Sequence, residues 1–223
     1  MRRKALVLKA AELLEGEYGL PRWEHAEHDP ISTLIGTILS QNTSDRNSIP
    51  AFNALRRRYP SWDKVLTARE KDIAETIRRG GLPNVKARRI KEVLRQIYNR
   101  AGGLSLDFLK GMPKEEARDF LLSLPGVGWK TASVVMLFSL GMPAFPVDTH
   151  IFRVSKRLGL IPQSATLEEA HRLLDRLVPD EKKASFHINL IRLGREVCHP
   201  KNPECERCAL NRICPSRRNV QCP

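Results

Sequence analysis

At 223 residues the chain is long enough for one large domain or two small ones, and 41% hydrophobic with 28% charged content excludes wholesale disorder. Lysine and arginine outnumber aspartate and glutamate 38 to 25, and a net charge of +13 points to a polyanionic partner, nucleic acid first. Aromatics at 6% argue against a surface that stacks many bases in a row, and no run approaches the roughly eighteen apolar residues of a membrane span. Met1-Arg2-Arg3-Lys4 is basic, but Ala5 to Leu14 is an amphipathic pattern holding Lys9 and Glu12. That is not a signal peptide, so the expected compartment is the cytoplasm; no membrane contact is expected, and the chain is expected to act as a monomer.

Helix punctuation recurs along the whole chain, while alternating strand patterns are scarce. Asp29-Pro30 reads as an N-cap with proline at the first helical position, opening a helix through Leu39. Another helix follows Asp45, with Pro50 expected in its first turn. Thr67-Ala-Arg-Glu70 reads as a capping box opening a helix that Gly80-Gly81 closes. Asn84 is expected to cap Val85 to Arg100, ended by Gly102-Gly103, and Pro113 to start a helix toward Ser123. Further helices are expected over Lys130–Leu140, over Thr149–Leu158 before Gly159, after the capping box Thr166-Leu-Glu-Glu169, and over Glu181–Val197. Roughly ten helices with short connectors make an all-α protein.

Between two of these helices lies Leu124-Pro-Gly-Val-Gly-Trp-Lys-Thr-Ala132. Gly126 and Gly128 bracket one apolar residue, Val127, which can plug the core while the glycine backbones stay exposed. The hairpin then presents N–H groups at a helix start, where the macrodipole also favours an anion, and a phosphate is the obvious guest. A tight helix–helix turn that uses glycine only for geometry is the plainer alternative, and the complete motif in so basic a chain favours the phosphate site.

Three other features carry chemistry. Lys130 stands two residues past Gly128 at a helix start, a setting that disfavours the ammonium form and favours a nucleophilic amine; taken bare, a lysine that simply neutralises the phosphate is the stronger reading, since most helix-start lysines are solvated. Asp148, after Pro146-Val147, has the position of an N-cap, the usual use of aspartate there, and capping does not exclude a further role. Cys198-x6-Cys205-x2-Cys208-x5-Cys214 sets one close pair between two single cysteines. Zinc sites more often show two close pairs, so the spacing favours an iron–sulfur cubane over zinc and leaves both open. Cys222 falls outside the pattern, and His25-Ala-Glu-His28 is a spacing more often found on a surface than at a metal.

The hairpin motif, Val147-Asp148-Thr149-His150 and the four-cysteine loop together resemble the endonuclease III family, in the helix-hairpin-helix, Gly/Pro-Asp superfamily of DNA glycosylases. The resemblance extends to Leu39-Ser40-Gln41-Asn42-Thr43-Ser44-Asp45 and Gly81-Leu82-Pro83-Asn84-Val85-Lys86-Ala87. It implies two helical domains with a DNA cleft between them: a six-helix barrel over 30–142 that carries the hairpin, and a cluster domain made of 1–29 and 143–223. It also implies a [4Fe-4S] cluster on Cys198, Cys205, Cys208 and Cys214, and damaged double-stranded DNA as partner. Lys130 becomes the amine nucleophile and Asp148 the catalytic aspartate. The implied activity is removal of oxidised pyrimidines with β-elimination at the abasic site. The family's wedge, a glutamine, falls by register on Asn42 rather than Gln41, so either residue can hold that role. Gly126, Val127, Gly128, Trp129 and Thr131 are the expected DNA contacts at the hairpin, with Lys201 a further one in the cysteine loop. The rivals are a mismatch glycosylase removing uracil or thymine opposite guanine, whose members commonly lack the lysine, and a non-catalytic DNA-binding protein holding structural zinc.

Overall fold

A computed structural model of the chain describes residues 3–21 and 29–218. Met1, Arg2, the His25/His28 pair and Cys222 lie outside the described residues. Within them the protein is all-helical, with no strand: α1 (Arg3–Tyr18), α2 (Pro30–Ser40), α3 (Asp45–Arg58), α4 (Trp62–Thr67), α5 (Glu70–Thr76), α6 (Pro83–Ala101), α7 (Lys114–Leu122), α8 (Trp129–Phe138), α9 (Thr149–Leu158), α10 (Leu167–Leu177) and α11 (Lys183–Glu196). Single 3-10 turns punctuate the connections. Contacts divide the chain into two units, His25–Met142 and Met1–Glu24 with Pro143–Pro223.

In the unit His25–Met142, α2 is the buried axis. Ile31, Leu34, Ile35, Ile38 and Leu39 are fully buried, so this helix is apolar on nearly every face and packs against α3, α6 and α8. Each such side chain contributes about 1.5–3 kcal/mol of burial. Asp29 caps α2 by accepting from the amides of Ile31 (3.2 Å) and Ser32 (3.0 Å), as the Asp-Pro signal predicts. Gly102, with φ +71, ends α6 as expected.

Four expected boundaries shift for local reasons. Thr67 opens nothing: its hydroxyl donates back to the Asp63 carbonyl (2.9 Å) at the end of α4, and α5 starts only after Arg69. Asn84 is not a cap, because Pro83 takes the first helical position of α6 and Leu82, left-handed at φ +49, stands as the capping residue. Pro50 lies in the second turn of α3, where it forfeits one helical hydrogen bond. The α8 helix ends at Phe138, since the amides of Leu140 and Met142 turn back to Val135 O (3.1 Å) and Met136 O (2.9 Å).

In the other unit α11 is the axis. Phe186, Leu190 and Leu193 are buried with Ile151, Val154 and Leu158 of α9 and with Val7, Ala10, Ala11 and Leu14 of α1. A Cβ at Gly194 would come within 2.8 Å of the His150 Cβ, so glycine is what lets α9 and α11 approach there. This helix starts at Lys183 rather than Glu181, because Asp180–Lys182 form a 3-10 turn first. The capping box on α10 forms as read, with the Thr166 amide donating to the Glu169 carboxylate (2.8 Å) and the Glu169 amide donating to Thr166 Oγ1 (3.2 Å).

On α10, His171 is 2% exposed, and burial pulls its pKa from 6.5 down to about 4, against the opposing pull of the main chain at Phe145 and Val147 and of Asp175. Folded protein therefore keeps this ring neutral where the unfolded chain would protonate it. The stabilisation is complete above pH 6.5 and is lost as pH falls toward 4. A difference of this size is worth about 3 kcal/mol. His171→Leu should flatten that part of the curve in urea unfolding at pH 7 and pH 4.5, and parallel losses in the two proteins would remove the assignment.

Candidate functional site

The hairpin between α7 and α8 is built by a turn whose chemistry is local. The Val127 amide donates to the Leu124 carbonyl (3.1 Å), with Pro125 second and Gly126, at φ +72, third. That is the residue order of a type II turn, which needs a left-handed third position. Val127 is buried, as its place between two glycines predicts. The two glycines differ in kind. A Cβ on Gly126 would strike the Arg89 side chain, 2.1 Å from its Nε, whereas at Gly128 nothing lies within 4 Å. Gly126 is thus shaped by α6, and Gly128 is the open face. The α8 helix begins right behind it, its first helical bond running from the Ala132 amide to the Gly128 carbonyl (3.0 Å). The positive end of α8 is presented at the turn.

Lys130 is the second residue of α8 and half-buried; Thr131 beside it is buried. The Arg118 guanidinium lies over the Trp129 ring, 5.5 Å from its centroid, so this tryptophan packs against α7. The segment after α2 reaches the hairpin through Gln41. Its Nε2 donates to the Gly126 carbonyl (3.1 Å) and to Thr131 Oγ1 (3.4 Å), and its Oε1 accepts from Arg89 Nη1 (2.7 Å). Gln41 is committed at both ends. Its neighbour Asn42 is exposed, with a left-handed φ of +54.

Arg89 and Lys86 were not legible as site residues. The Lys86 ammonium is buried and donates to the carbonyls of Leu39 (2.7 Å) and Gly80 (2.8 Å), tying the end of α2 to the turn before α6. Burial, followed by the Arg89 charge, lowers its pKa. The available signal was a lysine among the apolar positions of an amphipathic helix, beside Ala87 and Ile90.

In the second unit Asp148 caps α9, its Oδ1 accepting from the Ile151 amide (2.8 Å), and is half-buried. His150 packs at Gly194, with its Nδ1 3.2 Å from Arg153 Nη2. Lys130 and Asp148 belong to different units.

The four cysteines of the loop line one cavity of about 30 Å³ together with Arg157, Asn211 and Ser216. Among the described residues no group of three or more His, Cys, Asp or Glu side chains converges as a ready-made site for a single metal ion. The sulfurs face donors: Arg157 Nη1 donates to Cys198 Sγ (3.2 Å), the Leu210 amide points at Cys208, and the Ser216 and Arg217 amides point at Cys214. Burial, with the neighbouring sulfurs adding to it, pushes the Cys208 thiol up to about 11, and burial also raises Cys214. Four half-buried sulfurs that line one cavity, with N–H donors aimed at Cys198, Cys208 and Cys214, fit a metal–sulfur group. Lys201 stands exposed in the stretch between the first two cysteines, while His199 (3.3 Å) and Arg207 (2.8 Å) both meet Glu204.

Comparison with known proteins identifies the class first. Residues 35–180 match the HhH-GPD superfamily of base excision DNA repair proteins. An endonuclease III of Thermotoga maritima is 37% identical over 190 residues, which are 85% of this chain and 84% of that protein. A protein of Arabidopsis thaliana named as a DNA glycosylase is 40% identical over 77% of this chain, which spans 59% of that longer protein. A solved non-covalent endonuclease III–DNA complex shares the fold with a TM-score of 0.83, at 28% identity over 98% of both chains. The chain belongs to the endonuclease III family of base-excision DNA glycosylase/lyases.

Proposed function

We propose that this protein excises oxidised pyrimidines from duplex DNA and nicks the resulting abasic strand, with Lys130 and Asp148 as the catalytic residues. The observation that carries the proposal is Lys130 on the first turn of α8, directly behind the open face of Gly128. The phosphate backbone would dock on Gly128 and the amides that follow it, held by charge rather than by sequence. The damaged nucleotide is extruded from the duplex. The Lys130 amine attacks C1′, the C1′–N bond breaks, and the departing base carries off the electron pair and takes up a proton. The Lys130 nitrogen loses its proton and the sugar ring opens, leaving an imine. Loss of a proton from C2′ then expels the 3′ phosphate. Asp148 stabilises the positive charge that builds on the sugar, with the carboxylate oxygen that α9 does not use.

Between the two wedge candidates the geometry supports Asn42. Gln41 spends both ends of its amide on Gly126, Thr131 and Arg89, whereas Asn42 is exposed on a left-handed backbone. Asn42 fills the space left by the extruded base, and Gln41 braces the loop that carries it. Val127, Trp129 and Thr131 shape the hairpin from behind, and Lys201 adds a phosphate contact.

The residues of the cysteine loop would hold a [4Fe-4S] cluster through Cys198, Cys205, Cys208 and Cys214, with a structural part to play, since the lyase chemistry needs no electron transfer. DNA is the partner, bound by a monomer in the cytoplasm.

A panel of duplexes tests the substrate assignment. Thymine glycol and dihydrouracil duplexes should be excised and nicked, a bare abasic site nicked, and uracil opposite guanine left at least about 100-fold slower. Preference for the uracil duplex, without nicking, would install the mismatch glycosylase in its place.

A further inference from the structure

The chain that leads into Asp148, Pro143 to Val147, belongs to no helix and has Ala144, Phe145 and Val147 at most 1% exposed. Buried main-chain groups outside helices and sheets must find partners elsewhere. Here ionisable side chains supply them. The Phe145 amide donates to Asp175 Oδ1 (2.9 Å), Lys183 Nζ donates to the Pro143 carbonyl (3.2 Å), and His187 Nδ1 meets the Pro146 carbonyl (3.0 Å). His171 faces the main chain of Phe145 and Val147. Lys183 is itself 1% exposed, its charge met by Asp175 (3.1 Å) and Asp180 (2.8 Å). The His187 ring also stands edge-on to Phe145, with centroids 6.1 Å apart.

Such a set is a costly way to satisfy a few amides. Burying a lysine gains little stability even when it is paired, and what it does supply is directional constraint. The main-chain groups that Asp175, Lys183 and His187 meet all lie in the five residues that precede Asp148. We propose that Asp175, Lys183 and His187, with His171 behind them, are positioning residues that clamp the Pro143–Val147 main chain and so fix where α9 presents the Asp148 carboxylate. The inference rests on Asp148 being the catalytic carboxylate.

The test is a mutational cycle on the full-length protein, read as the single-turnover rate of thymine glycol excision. Affinity for a duplex holding a tetrahydrofuran abasic analogue is measured alongside. Lys183→Met removes the grip on Pro143 and the charge facing Asp175. It should lower the rate about 10- to 100-fold, the scale expected for a catalytic group displaced by an ångström, with affinity within about twofold. In an Asp148→Asn background the same substitution should cause no further fall, because the clamp acts only through that carboxylate. A merely structural part predicts equal losses in both backgrounds, and that result, or an unchanged rate, overturns the proposal. If Lys183→Met does not fold, as judged by circular dichroism, Asp175→Asn carries the same comparison, since asparagine still accepts from the Phe145 amide. Asp148→Asn by itself at the wild-type rate would overturn the catalytic assignment, and the clamp with it, in a measurement independent of Lys183.

Discussion

Sodium borohydride should trap a covalent adduct between the wild-type protein and lesion-bearing DNA, and Lys130→Gln should abolish both the adduct and the strand nick. Reduction freezes only an imine, so the adduct reports the amine that attacks C1′. Glutamine keeps the length and polarity of the side chain but has no nucleophilic amine. The substitution leaves Gly128 and the start of α8 in place, so duplex affinity should change little while the single-turnover rate falls by at least about 10³-fold. Asp148→Asn should fall by a comparable factor for a different reason. Asparagine caps a helix nearly as well as aspartate, so the bond to the Ile151 amide and the fold of α9 survive. What goes is the negative charge that stabilises the sugar cation. A Lys130→Gln protein that still forms the adduct at the normal rate would assign the chemistry to another amine.

Much of this fold is legible because its signals are local. Asp29-Pro30, Thr166-x-x-Glu169, Gly102 and Gly159 each act on the backbone within four residues, and each ends or starts the helix the sequence assigns. Thr67-x-x-Glu70 has the same letters as a capping box, yet its threonine bonds backward into α4. A hydroxyl serves either direction, and only the preceding residues decide. The hairpin and cysteine spacings are legible for the same reason as the caps: each motif is a short continuous stretch.

The surroundings of those motifs are not local. Arg89 reaches Gln41 across 48 positions, and Gln41 reaches Gly126 across 85. No periodicity marks them, since a charged residue on a helix is ordinarily a solvated one. Two glycines one residue apart look equivalent in a sequence, although one is shaped by an arginine and the other is open. His171, Asp175, Lys183 and His187 are hidden similarly, because each occupies a position on α10 or α11 where an apolar residue would have completed the pattern.

Removing one ligand of the cysteine loop should undo the unit it closes. The loop from Cys198 to Cys214 has only 3-10 turns of its own, and little of its chain besides Leu210 and Pro203 is buried. Its shape is held by few bonds: from α9, Arg157 donates to Cys198 Sγ, to His199 O (2.6 Å) and to Pro200 O (2.9 Å), and within the loop Asn211 donates to Cys205 O (2.7 Å). A segment with so small a core is the kind that a bound metal orders, and the proposed cluster would do so here. Protein prepared without oxygen should be yellow-brown, with about four irons per chain and a broad charge-transfer band. Cys208→Ala replaces a largely buried sulfur, and should yield colourless protein with iron near zero. It should also lower stability by several kcal/mol, because ligand binding and folding of the loop are one process. Arg157→Met should keep the iron but shift the cluster's reduction potential, since it removes a donor to sulfur without removing a ligand. Stoichiometric zinc in place of iron would withdraw the cluster, because four thiolates close a tetrahedral site around one zinc ion and leave no ligand for a cubane.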